Sequence, residues 1–342
     1  MNIYLAYIRG KFLPLGFEEF YACLEAENIN YEIKKTGKQY VIFETEVVPL
    51  AATQRCAFLH SLVDLLAEGS IEEDTIKINK QYNLKSVLNK NSFSVRLSKI
   101  GEKKVKLPTP EIEKQLGSFV YTKFQDLDLS VDLKNPDYEF QVLLHDYHFY
   151  IGLILWSIDR EEYNKREPSK RPSFRPGSMK TDFARALVNL SRVKKGDNFL
   201  DPFCGTGGFV LEAAFIGAYS IGLDIDQEAV LSADKNLRKY KQGLYSIIRG
   251  DSRSIAIKGV EAIATDPPYA IQSSTKGAKV EDLIHNFLIN ARKILKLGNY
   301  LVFSCPSKQN PEDIVLDTGF TIEIIIDTRI HKSLTRRILV LK

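Results

Sequence analysis

Cysteine is scarce and badly spaced for cross-linking. The chain holds Cys23, Cys56, Cys204 and Cys305, with no Cys-x-x-Cys pair. This spacing argues against a structural zinc site or a disulfide scaffold and suits a reducing cytoplasm. Long apolar runs are also missing, so nothing approaches the span a bilayer requires. The start, Met1-Asn2-Ile3-Tyr4-Leu5, lacks the basic opening and cleavage site of a signal peptide and reads as an immediate strand. A large excess of one charge is absent too, since the formal net charge is +4. That charge is unevenly placed. Residues 1–160 carry 19 Lys and Arg against 22 Asp and Glu, whereas 161–342 carry 28 against 21. Most of the surplus falls in 161–195, with 10 basic and 4 acidic residues. Such a segment marks a nucleic-acid contact in some chains and a solvated linker or helix face in more of them.

What is present describes a globular protein of more than one domain. At 342 residues, with 44% hydrophobic and 26% charged residues, two or three domains are expected. Residues 1–70 alternate strand and helix patterns. Asn2–Arg9 reads as a strand and Leu15–Ala26 as a helix. Asn30–Lys35 and Gln39–Glu44 form a hairpin around Thr36-Gly37-Lys38, and Leu50–Leu66 is helical again. This unit resembles a ferredoxin-like half. Residues 71–156 change character. Ser92–Ser98 alternates as a strand and Thr109–Phe124 is a helix with Pro110 near its start. Val131-Asp132-Leu133-Lys134 is a strand turned at Asn135-Pro136, with strands at Glu139–His145 and Phe149–Trp156. Residues 157–177, with three prolines and many charges, read as a linker. From 178 onward strands and helices repeat, as in an open, largely parallel sheet wound on both faces.

The most informative residues are Asp266-Pro267-Pro268-Tyr269, which follow the apolar run Ala262-Ile263-Ala264. The amino nitrogen of a nucleobase is a poor nucleophile because its lone pair is delocalised into the ring. A carboxylate and a backbone carbonyl that accept its N–H bonds would turn that lone pair toward an electrophile. Proline forces the turn and leaves its carbonyl to point into a pocket, and an aromatic side chain gives the base a flat face. The plainer alternative is a Pro-Pro that only ends a strand, with Tyr269 as packing.

Other motifs fall at the ends of neighbouring predicted strands, where such sheets bind ligands. Asp201-Pro202-Phe203-Cys204-Gly205-Thr206-Gly207-Gly208 is a glycine-rich turn opening a helix. It has neither the Gly-Lys-Ser/Thr of a Walker loop nor a Gly-x-Gly-x-x-Gly fingerprint. About twenty residues later Asp224 ends the next strand, where a carboxylate can accept from ribose hydroxyls. Asp226 follows two residues on. Asp251, before Ser252, ends the third strand, where it can accept from an adenine amino group. A lone Asp after a strand is more often a helix cap. The ordered set is harder to explain that way.

That set resembles the Rossmann-like, S-adenosylmethionine-dependent amino-methyltransferases over roughly 178–342. The middle region resembles the THUMP domain, an RNA-binding module, on Phe93-Ser94-Val95-Arg96, Gln115-Leu116-Gly117, Val131 to Asp137, and Phe149-Tyr150-Ile151-Gly152-Leu153. Together with the Lys-Arg-Pro and Arg-Pro-Gly-Ser of the linker, the whole chain resembles the archaeal tRNA guanine-10 N2-methyltransferases. The resemblance implies an α/β chain in which ferredoxin-like and THUMP α+β domains precede the methyltransferase sheet. It implies S-adenosyl-L-methionine as cofactor and tRNA as partner, with a D-stem target and THUMP contacts to the acceptor end. Phe203, Gly205 and Gly207 would line the methionine side, with Asp201 in the same turn. Asp224 would take the ribose, with Asp226 beside it, and Asp251 with Ser252 the adenine. Pro176 to Ser178 would close the pocket, and Asp266, Pro267 and Tyr269 would hold the target base. Arg96 and Lys134 are phosphate contacts in the same reading, or else solvated charges. No metal is expected. The rival expectations are methylation of guanosine 6, another amino-methyltransferase acting on DNA adenine or protein glutamine, and an RNA-binding protein with a degenerate methyltransferase fold.

Overall fold

The computed structural model describes residues 2–72, 74–84, 92–268 and 280–342. They gather into two compact units. The first holds residues 1–10, 29–54 and 59–158, and the second holds 11–28, 55–58 and 159–342.

From the N-terminus run β1 (Asn2–Ile8), α1 (Leu13–Ala26), β2 (Tyr31–Gly37), β3 (Tyr40–Thr45), α2 (Leu50–Arg55) and β4 (Leu59–Glu72). Their strands lie side by side as β2-β3-β1-β4, every pair antiparallel, which is the ferredoxin-like arrangement. The helix expected over Leu50–Leu66 stops at Arg55. The rest of that stretch belongs to β4, which pairs with β1 on one side and elsewhere with β9 (His148–Ser157) and β5 (Thr75–Gln81). A central strand buried on both faces loses the alternation that identifies a strand in sequence, and so imitates a buried helix.

The same sheet continues through β9 to β8 (Tyr138–His145), β6 (Ser92–Lys99) and β7 (Ser130–Val131). The strand expected from Val131 is only two residues long. Asp132 accepts N–H bonds from Lys134 at 2.8 Å and Asn135 at 3.0 Å, so the chain turns there. Helix α3 (Thr109–Lys123) buries Ile112, Leu116 and Val120, one helical face, into a core with Val95, Phe140 and Ile151.

The second unit carries α4 (Arg160–Asn164), α5 (Thr181–Leu190), β10 (Asn198–Asp201), α6 (Gly208–Ile216), β11 (Tyr219–Asp224), α7 (Gln227–Tyr240) and β12 (Tyr245–Arg249). Then follow β13 (Val260–Thr265), α8 (Val280–Ile294), β14 (Leu295–Pro306), α9 (Glu312–Asp317), β15 (Ile322–His331) and β16 (Leu334–Leu341). The sheet order is β12-β11-β10-β13-β14-β16-β15. Strands β10 to β14 pair in parallel, and β16 joins antiparallel to both β14 and β15. The chain winds outward from β10 to β12, then returns to β13 on the other side of β10. The order reverses between β10 and β13, where open α/β sheets leave a crevice. Leu200, Ile263, Phe287, Leu301 and Leu339 pack the core beneath it.

Helix α1 belongs to this second unit, and one buried carboxylate explains why. Glu19 is fully buried and accepts from the N–H groups of Ala57 and Phe58, both at 2.8 Å, and from Asn189 Nδ2 of α5 at 2.8 Å. Arg55 Nε donates back to Asn189 Oδ1 at 3.0 Å. Within the stretch expected as a linker, the chain forms α4, and Arg166 and Arg171 are buried. Glu212 of α6 draws one of them in. Arg166 Nε lies 2.7 Å and Arg185 Nε 2.9 Å from its two carboxylate oxygens.

Candidate active site

The turn after β10 fits its sequence closely. Gly205 and Gly207 have φ of 51° and 82°, a backbone region that favours glycine. A Cβ on Gly207 would approach Leu237 to 2.9 Å, whereas one on Gly205 would meet nothing within 4 Å. The turn therefore packs on one side and opens at Gly205. Asp224, at the end of β11, fixes that opening. Its Oδ2 accepts from Gly205 N–H and its Oδ1 from Asp226 N–H, each at 2.9 Å.

One cavity at the switch point is walled by Phe203, Asp224, Asp251, Ser252, Asp266 and Pro268. A second is walled by Arg171, Ser178, Gly205, Thr206 and Gly208, and shares Phe203 and Asp266 with the first. The structure thus gathers seven of the predicted residues: Phe203, Gly205, Asp224, Asp251, Ser252, Ser178 and Asp266. Ser252 is buried, and Asp251 is gripped through both oxygens by Arg253, at 2.6 to 3.1 Å.

The remaining predicted residues that the structure describes are not among these walls. Asp201 is fully buried under the turn, where Oδ1 accepts from Thr265 Oγ1 at 2.6 Å and from Phe203 N–H at 3.2 Å. Burial pushes its acid up to about 7. Asp226 caps α7 by accepting from Glu228 N–H at 2.9 Å, and Arg175 lies 2.8 Å from its other oxygen. Arg175 holds that carboxyl below its usual range. Gly207 caps α6, Pro176 is exposed, and Pro267 is buried. Tyr269 lies outside the described residues. Cys204 in the turn is a packing residue, since burial drives its thiol well above the ordinary value.

Three neighbours of the site are not among the predicted site residues, and two of them, Ser304 and Arg336, carry no sequence signal. Asp266 Oδ1 accepts from Ser304 Oγ of β14 at 2.6 Å and from Arg336 Nη1 of β16. Arg336 Nη1 also donates to Ser304 Oγ at 3.1 Å, so the three groups close on one another. Arg171 reaches the start of α6, where a Cβ on Gly208 would stand 3.3 Å from its Nη1. Arg336 lies 70 residues from Asp266 and meets it only because β16 pairs with β14. Pairing of that kind leaves no periodicity to find in sequence.

Residues 168–338 match the family described as RMKL-like, methyltransferase domain, and residues 68–153 match the THUMP domain. The chain is 33% identical to the tRNA (guanine(10)-N2)-dimethyltransferase of Methanothermobacter thermautotrophicus, over 95% of this chain and 94% of that protein. It is 32% identical to the protein of the same name from Methanocaldococcus jannaschii, over 98% of each. Among solved structures, TrmN from Thermus thermophilus aligns over 99% of both chains with a TM-score of 0.54 at 19% identity, a likeness of fold. With a methyltransferase sheet, a THUMP region and such relatives along its length, the chain belongs to the tRNA (guanine(10)-N2)-dimethyltransferase family.

Proposed function

We propose that this protein methylates the exocyclic N2 of guanosine 10, in the D-stem of tRNA, to N2-methyl- and N2,N2-dimethylguanosine, with S-adenosyl-L-methionine as donor. The observation that carries the reading is Asp266, at the end of β13, walling both cavities of the switch point. The residues there fit the donor. Asp224 offers a carboxylate for a ribose, Ser252 and Asp251 line the same cavity, and Gly205 leaves open space above its Cα. Arg171, a buried cation beside the start of α6, suits a carboxylate on the methionine side, together with Phe203, Gly205 and Ser178. Bound there, the donor supplies an electrophilic methyl group on a sulfonium.

The chain's own part is positioning. Asp266 accepts one N–H of the guanine amine and the Pro267 carbonyl the other, which turns the nitrogen lone pair into the pocket. Tyr269 gives the ring a stacking face. Alignment of this kind supplies much of the rate, and no strong general base is needed. A base within a stem must leave its stack to arrive.

Recognition falls to the N-terminal parts, with 1–70 as a ferredoxin-like domain, 71–156 as the THUMP domain and 157–177 linking them to 178–342. In this reading the THUMP region meets the acceptor end. Arg96 and Lys114 flank a groove with Tyr121 there, a pattern of cations and an aromatic ring that suits RNA. The reaction would take place in the cytoplasm. A tRNA transcript with adenosine at position 10 tests the target. It should take up no methyl, and uptake equal to the unaltered transcript would refute the assignment.

A further inference from the structure

A third cavity in the second unit adjoins the one over Gly205. Gly177, Ser178 and Met179 wall both it and the cavity over Gly205. Its other walls include Lys11, Phe12, Lys180, Phe183, His331 and Arg336. Arg336 is the side chain that pairs with Asp266, so one residue separates this cavity from the catalytic turn.

Phe12 stands out. Its backbone, at φ 60° and ψ 47°, lies in the left-handed region, a costly place for a bulky residue. Packing holds it there. Its ring meets Phe183 edge-on at 5.5 Å and Phe58 at 5.9 Å. The exposed Lys11 places its Nζ 4.6 Å from the Phe12 ring centre. Lys11 and Lys180 outnumber Asp182, the acid of this cavity, while Arg336 is matched by Asp266. An aromatic ring with two lysines beside it fits a ligand that combines a flat base with a phosphodiester.

We propose that this cavity is a second nucleotide subsite, holding the RNA nucleotide next to the methylated guanosine. The inference rests on the tRNA reading. A guanosine drawn out of its stem brings its flanking phosphodiesters with it, and this cavity shares the Gly177–Met179 wall with the cavity lined by Asp266. Lys11 and Lys180 hold a phosphate, and Phe12 packs on the neighbouring base or sugar. Strain at Phe12 serves to present the ring.

The test uses the full chain with saturating S-adenosylmethionine and compares wild type, Lys11→Gln and Phe12→Leu. Lys11→Gln should weaken tRNA binding about 3- to 10-fold and lower the log–log salt slope by about 1. Phe12→Leu should raise the KM for tRNA about tenfold, within the range of one lost stacking contact. Cofactor affinity and melting temperature should not move in Lys11→Gln, whose side chain is exposed and which therefore decides the matter if Phe12→Leu fails to fold. Unchanged tRNA affinity and salt slope in Lys11→Gln would overturn the subsite, as would an equal loss of cofactor affinity. Nucleoside analysis of the wild-type product keeps the two readings apart. No methylguanosine from wild type rejects the function, whereas normal wild-type product with unchanged tRNA affinity and salt slope in Lys11→Gln rejects only the subsite.

Discussion

Glu212 and Asp266 are both carboxylates gripped by arginine in the second unit, yet they are built for opposite ends. Glu212 is fully buried and both of its oxygens are taken by Arg166 and Arg185. Arg166 is further clamped by the rings of Tyr163 at 4.3 Å and Phe215 at 4.6 Å. Burial pushes the Glu212 acid up, but Arg185 and Arg166 outweigh it and keep the group ionised. Asp266 also has an arginine, but it shares that arginine with Ser304 and walls two cavities. A closed ion pair holds a fold together. An open one holds a group ready for something that arrives.

The pair can be separated by substitution. Asp266→Ala should lower turnover by orders of magnitude, because positioning is lost, while cofactor affinity stays as in wild type. Glu212→Gln should do the reverse. Two buried guanidinium groups lose their counter-charge, at a cost of about 3–5 kcal/mol of stability, read by denaturant unfolding. If Glu212→Gln is as stable as wild type, the closed cluster is not structural.

Arg336→Ala sharpens the contrast, since it leaves Asp266 present but unheld. Loss of alignment should lower kcat up to about 100-fold with little change in the KM for tRNA. Added guanidinium should restore part of the rate, and a rise in KM alone would make Arg336 an RNA contact instead. Asp224→Ala should weaken donor binding by about 1–3 kcal/mol in calorimetry, through lost charge-assisted bonds. Unchanged affinity would remove Asp224 from the donor site.

The smallest effect is one of pH. Burial pushes the acids of Asp201 and Glu19 up to about 7, so these two groups hold more protons in the folded chain than in the unfolded chain between about pH 4 and 7. Their contribution to stability should therefore fall as pH rises through that window. Asp201→Asn should flatten the fall, as followed by the melting temperature at each pH, and an unaltered slope would show that Asp201 does not titrate there.

Much of this was legible in the sequence, and the failures share a cause. The glycine turn, Asp224, Asp251 and Asp266 all follow short apolar runs, so local pattern placed them at strand ends. Strand β4 read as helix because it is buried on both faces. Asp201 and Asp226 have the same local signature as Asp224, but a fully buried hydrogen bond to Thr265 and a helix cap set their surroundings. Ser304 becomes a neighbour of Asp266 only when β13 and β14 pair, and Arg336 only when β16 joins β14. That α1 joins the second unit reflects Glu19 meeting Asn189, 170 residues away.

The most direct measurement is mass spectrometry of nucleosides from tRNA incubated with pure protein and isotopically labelled S-adenosylmethionine. The wild-type protein should give labelled N2-methyl- and N2,N2-dimethylguanosine at position 10, and Asp266→Ala should give none. Label at another nucleotide, or equal label from the variant, would contradict the assignment.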